Sequence, residues 1–346
     1  MSSFWEDRIV FVTGASGLVG GWLTRALLDS GAQVVALVRD SAPRSLLVRE
    51  GDVENIEVVR GDVSDLTLLR RTMAEYSVGT VVHLAAQTIV GVANLDPVGT
   101  LETNVRGTWN VLEAARQSRA QQVVVASSDK AYGSPESLPY RENHPLRGTF
   151  PYDVSKSCAD LLCAMYATSF KLPVVVARCG NIFGGGDLNL SRAIPGVILS
   201  TIKGERFRIR SDGAFIRDFL YAKDAAAAYM LLAEGLAANT SLAGEAFNFS
   251  LGIRFSVLDV VQLVLELMNR QDLKPIIENT VTGEIREQSL DSSKAEQMLG
   301  WAPVYGMRDG LKETIGWYEQ FFDSRRRREP ANGQVDSDIY HDLPNK

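Results

Sequence analysis

The sequence predicts an α/β protein built on a doubly wound parallel sheet, with a smaller C-terminal α/β lobe. Short apolar runs alternate with segments of helical periodicity over residues 1–180, which is typical of a parallel sheet with helices on both faces. A glycine-rich turn joins the first strand signal to the first helix signal. After Gly184-Gly-Gly-Asp187 the alternation becomes irregular. We therefore expect a first domain over residues 1–180 and a second lobe over residues 181–323.

The first domain contains strand and helix signals in regular order. Each strand signal is a short apolar run, and each helix signal repeats apolar residues every three or four positions. The first helix is expected to end at Gly31, because glycine readily adopts the backbone conformation that follows a helix. We predict strands over residues 8–13, 34–38, 56–60, 78–85, 122–126 and 173–178, and helices over residues 17–30, 97–119 and 152–170.

Shorter elements follow in the second lobe, and segments at about 210–250 are expected to return to the first domain. We predict strands near residues 207–209, 247–249 and 275–277, and helices near residues 224–234, 257–268 and 306–322. Residues 324–346 are predicted to be disordered. The arginines at 325–328 either bind an anionic partner or, as we favour, complement the dipole at the end of the last helix.

The composition indicates a soluble globular protein without a nucleic-acid or membrane partner. Hydrophobic residues make up 45% of the chain and charged residues 23%, and the formal net charge is −6 at pH 7. A negative charge argues against binding to nucleic acid or to an anionic membrane. The first residues lack the basic and apolar regions of a signal peptide, and no apolar run reaches the roughly 18 residues of a membrane span. We expect a cytoplasmic protein.

The spacing of cysteine and histidine predicts neither disulfides nor a metal site. Cys158, Cys163 and Cys179 are odd in number and form no Cys-x-x-Cys pair, and the histidines at 83, 144 and 341 are scattered.

A dinucleotide-binding turn is predicted at Gly14-Ala-Ser-Gly17-Leu18-Val19-Gly20. Small residues permit a tight turn and a close approach to a pyrophosphate, which the N-terminus of the next helix attracts. The spacing differs from the commoner Gly-x-Gly-x-x-Gly. The alternative, that the glycines only ease a turn, is less favoured because the motif follows a strand and opens a helix. This context predicts a Rossmann-type fold that binds NAD or NADP.

The end of the second strand bears on the choice between these two cofactors. An acid at this position usually binds the adenosine ribose, but Val38 takes the place and Arg39-Asp40 follows. Arg39 can bind a 2′-phosphate, which slightly favours NADP. Two alternatives stay open: Asp40 could bind the ribose hydroxyls, and Arg39 could be an ordinary surface residue.

Tyr152 and Lys156 form a candidate proton-transfer pair. Residues four apart on a helix project from one face, so the ammonium can lie beside the phenol and lower its pKa from about 10 toward working pH. Tyr152 is then a candidate acceptor for the proton of an alcohol that is being oxidised. Alone, such a pair is more often an exposed pair without chemistry. Together with the glycine turn and Ser128-Asp129-Lys130, it indicates nicotinamide chemistry on a sugar.

From about residue 7 to residue 322 the chain resembles an extended short-chain dehydrogenase/reductase of the nucleotide-sugar class. The resemblance covers the glycine turn, the Tyr-x-x-x-Lys pair and further motifs. These motifs are Asp62-Val63, Ala85-Ala86, Asn104-Val-Arg-Gly-Thr108, Arg178-Cys-Gly-Asn181, Arg217-Asp-Phe-Leu-Tyr221, and Ser293-Lys294 to Gly300-Trp301.

The resemblance implies a cofactor role for several of these residues. Asp62 and Val63 are expected to flank the adenine, and Ala85 is expected to line the cofactor. Ala86 and Asn104 are assigned to the same cofactor site.

A nucleotide-diphosphate sugar is the substrate that the resemblance implies. Asn181 and Arg217 are expected to hold its phosphates, and Gln87 is assigned to the substrate site. Arg192 and Arg286 are further candidates, because a guanidinium fork matches phosphate geometry. For both arginines, a surface or interface position is about equally compatible with the sequence.

The residues after the fifth strand indicate which reaction of the class is expected. Epimerases of the class carry Ser or Thr followed by small or apolar residues here, whereas 4,6-dehydratases carry an acid and a base. Asp129-Lys130 is similar to CDP-glucose 4,6-dehydratases. Ala131 and Leu188 depart from their pattern, and Gln87 also resembles GDP-mannose 4,6-dehydratases, so the base is left open with CDP-glucose favoured. Alternatively, Asp129 caps a turn and Lys130 is solvated.

The reaction implied by the resemblance is an internal redox cycle on the sugar. Tyr152 takes the proton of the C4 hydroxyl, and Ser128 hydrogen-bonds the same oxygen. Lys130 removes the C5 proton, and Asp129 protonates the departing C6 hydroxyl. Both residues would then need shifted pKa values, which burial in a closed cleft produces.

Other functions remain in consideration at this point. A 4-epimerase would leave Asp129 and Lys130 without a role, and a decarboxylase would need a uronic-acid site, for which we identify no arginine signature. A non-catalytic dinucleotide-binding module is the alternative from a different class. The resemblance also implies a homodimer formed through the helices at 97–119 and 152–170.

Overall fold

A computed structural model describes residues 4–134, 137–280 and 285–326 of the chain. The main element is a parallel sheet with strand order β10-β6-β5-β4-β1-β2-β3, flanked by helices. The predicted Rossmann-type α/β class is confirmed. The strands are β1 (Ile9–Thr13), β2 (Gln33–Val38), β3 (Glu57–Arg60), β4 (Thr80–His83), β5 (Gln122–Ser128), β6 (Val174–Cys179), β7 (Asn181–Phe183), β8 (Arg208–Ile209), β9 (Ile216–Tyr221), β10 (Ala246–Phe249), β11 (Arg254–Ser256) and β12 (Ile276–Ile277).

The helices cover both faces of this sheet and build most of the second lobe. A π-helical segment, Glu102–Arg106, interrupts the helix that the sequence predicts over 97–119. The helices are α1 (Leu18–Asp29), α2 (Leu46–Arg49), α3 (Leu66–Glu75), α4 (Val90–Leu95), α5 (Pro97–Leu101), α6 (Gly107–Gln117), α7 (Pro151–Phe170), α8 (Ala193–Lys203), α9 (Ala222–Ala238), α10 (Val257–Leu267), α11 (Ser293–Leu299) and α12 (Met307–Arg326).

Alternating residues of the central strands feed two separate apolar cores. Val10 and Val12 of β1 pack on the face covered by α1 and α9, whereas Phe11 packs on the face covered by α3, α6 and α7. Successive side chains of a strand point to opposite faces, so a strand buried on both sides is apolar throughout. Val19 of α1 packs, partly buried, against the first of these cores.

The second lobe has its own core and small sheets. Strands β11, β9 and β7 form one sheet, and β12 pairs with β8. Phe183, Val197, Val261 and Leu311 are among the side chains that fill the core between them. The chain also returns to the main sheet, because β10 pairs in parallel with β6. Strand β10 therefore completes the sheet from a distant part of the sequence.

Close packing at the glycines after β7 joins the second lobe to the dinucleotide side of the molecule. The indole nitrogen Nε1 of Trp22 in α1 donates to the carbonyl of Gly185 at 2.9 Å. A Cβ on Gly185 would lie 2.4 Å from the Trp317 ring of α12, and one on Gly186 would lie 3.3 Å from Leu46. The glycines after β7 thus permit α1, α2 and α12 to meet closely.

The predicted ends of β4 and of α12 are among the boundaries that differ from the structure. Strand β4 ends at His83 rather than at 85, because the chain leaves the sheet where the Ala85 amide donates to Thr13 Oγ1 at 3.2 Å. Helix α12 continues to Arg326, into the segment predicted to be disordered, because no glycine or proline interrupts residues 317–326. The rest of that predicted tail, residues 327–346, lies outside the described residues. Within the described ranges, no helix is long and apolar enough to cross a membrane.

Candidate active site

The glycine turn leaves the backbone open at the carboxyl end of β1. Gly14 has a φ of +76°, and a Cβ there would lie 2.8 Å from the backbone nitrogen of Ala85. Gly17 is the N-cap residue of α1, which begins at Leu18. A Cβ on Gly20 would lie 2.0 Å from the carbonyl oxygen of Gly14, so only glycine fits there. This open helix N-terminus fits the pyrophosphate of a dinucleotide.

The other predicted cofactor residues lie along the same edge of the sheet. Arg39 follows β2, Asp62 and Val63 follow β3, and Ala85 and Ala86 follow β4. Because β4, β1, β2 and β3 are parallel neighbours, the loops that carry these residues leave the sheet side by side. The fold therefore brings together residues that are far apart in sequence.

Arg39 is paired with two carboxylates. Its Nε lies 2.7 Å from Asp40 Oδ2 and its Nη1 lies 3.7 Å from Asp62 Oδ2, while 61% of the side chain is exposed. Asp62 Oδ1 also accepts from the amide of Ser64 at 2.8 Å. The adjacent Val63 is buried. Arg39 therefore shares a surface site with the acid that is expected to lie beside the adenine.

Tyr152 and Lys156 are both buried in the first turns of α7. Lys156 Nζ donates to the carbonyl of Ala126 at 2.9 Å, and burial lowers the pKa of Lys156 to about 8. Burial, and then the charge of Asp129, raise the pKa of Tyr152, although a hydrogen bond with Ser128 opposes them. The predicted lowering of the Tyr152 pKa is therefore wrong here, because burial of the phenol dominates.

Ser128, Asp129 and Lys130 form a hydrogen-bonded cluster at the end of β5. Ser128 Oγ donates to Asp129 Oδ1 at 2.9 Å, and Lys130 Nζ lies 3.3 Å from the same oxygen. Lys130 Nζ also donates to Asn181 Oδ1 at 3.2 Å. The side chain of Asp129 is fully buried, and that of Lys130 is only 20% exposed. This burial contradicts the alternative in which Lys130 is solvated.

The second oxygen of the Asp129 carboxyl is unusual. Asp129 Oδ2 is buried and has no hydrogen-bond partner among the described residues. A buried carboxylate oxygen without a donor is costly. The arrangement therefore leaves one oxygen of Asp129 free to meet a group that is not part of this chain.

Asn104 joins the loop after β4 to the helix that carries Tyr152. Asn104 Oδ1 accepts from the Gln87 amide at 2.7 Å, and its Nδ2 donates to the Gln87 carbonyl at 3.0 Å and to Ser155 Oγ at 2.9 Å. Ser155 Oγ in turn donates to the carbonyl of Tyr152 at 2.7 Å. Asn104 and Gln87, assigned from the sequence to different sites, therefore hold each other.

Arg192 lies close to Tyr152. Its Nη1 is 2.9 Å from Asp187 Oδ2, and its Nη2 donates to Thr88 Oγ1 at 3.3 Å. Burial raises the pKa of Tyr152, and the positive charge of Arg192 acts in the opposite direction. Arg192 thus faces the site rather than a remote surface.

Arg217 and Arg286 meet on one aromatic ring. Their guanidinium carbons lie 5.2 Å and 5.6 Å from the centroid of the Phe215 ring. Arg217 Nη1 donates to the carbonyls of Ile216 and Arg286, at 3.0 and 3.2 Å, and Arg286 Nη2 lies 3.1 Å from Asp212 Oδ2. The two predicted phosphate ligands are therefore adjacent.

The described residues contain no group of three or more His, Cys, Asp and Glu side chains arranged to hold a metal ion.

Comparisons with known proteins agree with this geometry. A model of the NAD dependent epimerase/dehydratase family matches residues 10–249. The chain belongs to this family. It is 31% identical over 334 residues to a CDP-glucose 4,6-dehydratase of Salmonella typhimurium, with 92% of each chain covered. It is 32% identical over 320 residues to a dTDP-glucose 4,6-dehydratase of Streptomyces griseus, covering 90% of this chain and 94% of the relative.

Among solved structures, the chain is similar to DesIV, a dTDP-glucose 4,6-dehydratase from Streptomyces venezuelae with NAD and TYD bound. The TM-score is 0.83 with 27% sequence identity, and the match covers 90% of this chain and 97% of that one. The glycine turn of this epimerase/dehydratase family member therefore lies in a fold in which a relative binds NAD.

Two buried carboxyls of this family member were missed by the sequence analysis. Burial raises the pKa of Asp153 to about 6, although the charge of Lys130 opposes it. Burial also raises the pKa of Asp218 to about 7. Asp218 Oδ2 accepts from the Leu290 amide at 2.8 Å, and Oδ1 has no hydrogen-bond partner within the described ranges. An acid directly beside Arg217 in an otherwise apolar strand was the signal that could have revealed Asp218.

We expect Asp218→Asn to change the pH dependence of stability. The pKa of Asp218 rises from 3.8 to about 7 on folding, so the folded protein keeps a proton that the unfolded chain has released. The resulting stabilisation is fully present below about pH 4 and is lost as the pH rises through about 7. Asparagine does not titrate, so the melting temperature of the variant relative to wild type should rise between about pH 5 and pH 8.

Thermal unfolding across this pH range measures the difference. Asp309→Asn, at an exposed position of α12 whose side chain is 70% exposed, is the control. A melting-temperature difference for Asp218→Asn that stays flat with pH would contradict the assignment.

Proposed function

We propose that this chain is a nucleotide-sugar 4,6-dehydratase, a hydro-lyase that uses a nicotinamide cofactor. It converts a nucleoside diphosphate hexose, with CDP-glucose favoured, into the 4-keto-6-deoxyhexose derivative. The observation that carries the proposal is the buried acid and base, Asp129 and Lys130, beside Tyr152. The names of the relatives at 31% and 32% identity support the same reaction.

The chain's own residues handle the proton of the C4 hydroxyl. Tyr152 accepts this proton while Ser128 hydrogen-bonds the same oxygen. A nicotinamide cofactor held at the glycine turn Gly14 to Gly20 would supply the hydride transfer, out of C4 and later into C6. The Lys156 ammonium, anchored to the Ala126 carbonyl, supplies positive charge behind the phenol. Because burial raises the pKa of Tyr152, the site needs such charge for proton transfer at neutral pH.

Asp129 and Lys130 carry out the elimination of water. Moving one proton from the Lys130 ammonium to Asp129, across 3.3 Å, produces a neutral amine and a carboxylic acid. These are the two forms that the reaction requires. The Lys130 amine removes the C5 proton, and the Asp129 acid protonates the C6 hydroxyl, which leaves as water as the C5–C6 double bond forms. Lys130 then returns the proton to C5 as C6 is reduced.

The diphosphate of the substrate is expected at the arginines of the second lobe. The guanidinium groups of Arg217 and Arg286 both pack against the Phe215 ring. Asn181 connects the second lobe to Lys130 through a hydrogen bond from Lys130 Nζ. Arg192 lies nearer to Tyr152 and is proposed, with Gln87 nearby, to contact the sugar end of the substrate. Guanidinium groups in the second lobe, together with a buried acid and base at the end of β5, fit a substrate in which an anionic diphosphate carries an uncharged hexose.

Mass spectrometry of purified protein incubated with CDP-glucose, GDP-mannose, UDP-glucose and dTDP-glucose tests the proposal. NAD and NADP are supplied separately. We expect loss of one water from one nucleotide sugar, and CDP-glucose in particular. An unchanged mass with a new C4 stereoisomer would instead make the protein an epimerase.

The variant Lys130→Ala separates the two halves of the reaction. Tyr152 and Lys156 remain, so oxidation at C4 should persist and be seen as transient absorbance of the reduced cofactor. Dehydration should fall by at least about 100-fold, because general base catalysis typically contributes 10²–10⁴-fold. Lys312→Ala, at a surface lysine that pairs with Asp309 within the same helix, is the matched control. Undiminished dehydration in Lys130→Ala would remove Lys130 from the role.

A preference for NADP over NAD stays a prediction, and Arg39 carries it. Its guanidinium already contacts Asp40 and Asp62, so a 2′-phosphate would have to replace one of these carboxylates. We expect Arg39→Ala to raise the Kd for NADP about tenfold and to change that for NAD less than about twofold, since NAD lacks the phosphate. Equal losses for both cofactors in a binding titration would exclude this role for Arg39.

We also propose a homodimer formed through α5, α6 and α7, the helices that occupy the segments predicted at 97–119 and 152–170. Large apolar side chains are exposed along these helices, including Val98 at 70% and Leu161 at 60%. Two copies of one such surface bury each other around a two-fold axis. Light scattering should give twice the 37.9 kDa chain mass, and Leu161→Glu should shift it toward the monomer. Val304→Glu changes an apolar residue that is 82% exposed outside these helices, and this variant should keep the mass of the dimer. A Leu161→Glu variant that also keeps the mass of the dimer would contradict this interface.

A further inference from the structure

His83 is a buried histidine at the end of β4 to which the proposed reaction gives no role. Only 3% of the residue is exposed. Its Nδ1 lies 2.7 Å from Thr13 Oγ1 at the end of β1, and its Nε2 lies 3.1 Å from Thr108 Oγ1 in α6. Both ring nitrogens therefore have a hydroxyl partner.

The hydroxyl protons determine the tautomer of this ring. Thr108 Oγ1 donates its single proton to the Asn104 carbonyl at 2.6 Å, so it can only accept from His83, and Nε2 must carry the ring proton. Burial, and then the charge of Lys156, lower the pKa of His83 to about 3, so the ring is neutral. The bare Nδ1 consequently accepts from the Thr13 hydroxyl.

One end of the resulting chain of hydrogen bonds reaches the cofactor loop, the segment of residues 84–89 that follows β4. Thr13 Oγ1 donates its hydrogen bond to His83 and accepts one from the backbone amide of Ala85 at 3.2 Å. Ala85 is also the residue against which Gly14 packs. The chain therefore holds the loop that follows β4 against the glycine turn.

The other end reaches the helix that carries the tyrosine. Thr108 binds the backbone carbonyl of Asn104, and the Asn104 side chain binds Gln87 and Ser155. Ser155 donates to the carbonyl of Tyr152. The hydrogen bonds thus run in one direction from Ala85 through His83 to Asn104, and continue by way of Ser155 to the first turn of α7.

We propose that His83 is a positioning residue that sets the cofactor loop and the Tyr152 helix in register through this chain. The inference rests on the nicotinamide cofactor of the proposed function and not on the identity of the sugar. It assigns a physical purpose to Thr13, which precedes the glycine turn, and to Asn104 and Thr108, which belong to one motif far from it in sequence. A network satisfied at every donor and acceptor stabilises one arrangement of the loops that it connects.

Two substitutions of His83 test the two halves of this chain of hydrogen bonds separately. Asparagine places an acceptor where His83 has Nδ1, and glutamine places a donor where His83 has Nε2. His83→Asn should keep the Kd for NADH, measured by nicotinamide fluorescence, within about threefold of wild type. It should also slow single-turnover reduction of the bound oxidised cofactor by the substrate about tenfold. His83→Gln should show the reverse, with a Kd about tenfold higher and a reduction rate near that of wild type.

Thr80→Val is the matched control. Thr80 is also fully buried in β4, but its hydroxyl donates to Gln122 Oε1 at 3.0 Å, outside the chain. It should change neither readout. If the His83→Asn and His83→Gln variants were indistinguishable in both measurements, or if both matched wild type, the positioning role would be refuted.

The wild-type protein offers a test that does not depend on any variant's folding. Nitrogen-15 chemical shifts of the histidine rings should show one neutral ring, protonated at Nε2, whose state does not change between about pH 5 and pH 9. Finding His83 protonated at Nδ1 or titrating in this range would overturn the proposal. The ring measurement and the NADH titration need no sugar, so a failed dehydratase assay leaves them interpretable.

Discussion

The parallel direction of the main strands is the constraint on which the active site depends. Because β1 to β6 and β10 all run the same way, the loops after them leave from one edge, and the side chains they carry meet there. Gly14 after β1, Ala85 after β4 and Asp129 after β5 become neighbours in this way. An antiparallel arrangement would divide these loops between opposite edges and leave each chemical group alone.

Charge burial is the second feature that shapes this edge. Asp129, Lys130, Lys156 and Asp218 lie in or near the closed interior, where removing a charge from water is costly unless partners compensate. Lys130 has two oxygen partners, whereas Asp129 and Asp218 each keep one buried oxygen that meets no donor in the described part of the chain. These buried oxygens without donors lower the stability of the fold. Ionisable groups in such costly surroundings are common at functional sites, and Asp129 lies where the reaction is proposed.

The fold class and the positions of the motif residues could be predicted from sequence because they depend on local patterns. The apolar run of β1, the glycine turn and the spacing of Tyr152 and Lys156 each have a meaning within a few residues. The raised pKa of Tyr152 could not be predicted in this way, because it results from burial by distant segments. The contacts of His83 likewise depend on β1 and α6, which both place a threonine beside its imidazole ring. The sequence around residue 83 contains no pattern that predicts these contacts.

The position of β10 has a consequence for how the chain folds during synthesis. The strand that pairs with β6 comes after α8 and α9 and after three of the small-sheet strands of the second lobe, β7, β8 and β9. During synthesis by the ribosome, β6 therefore remains an unpaired edge of the main sheet until residues 246–249 have emerged. The sheet can therefore be completed only after part of the second lobe has been synthesised.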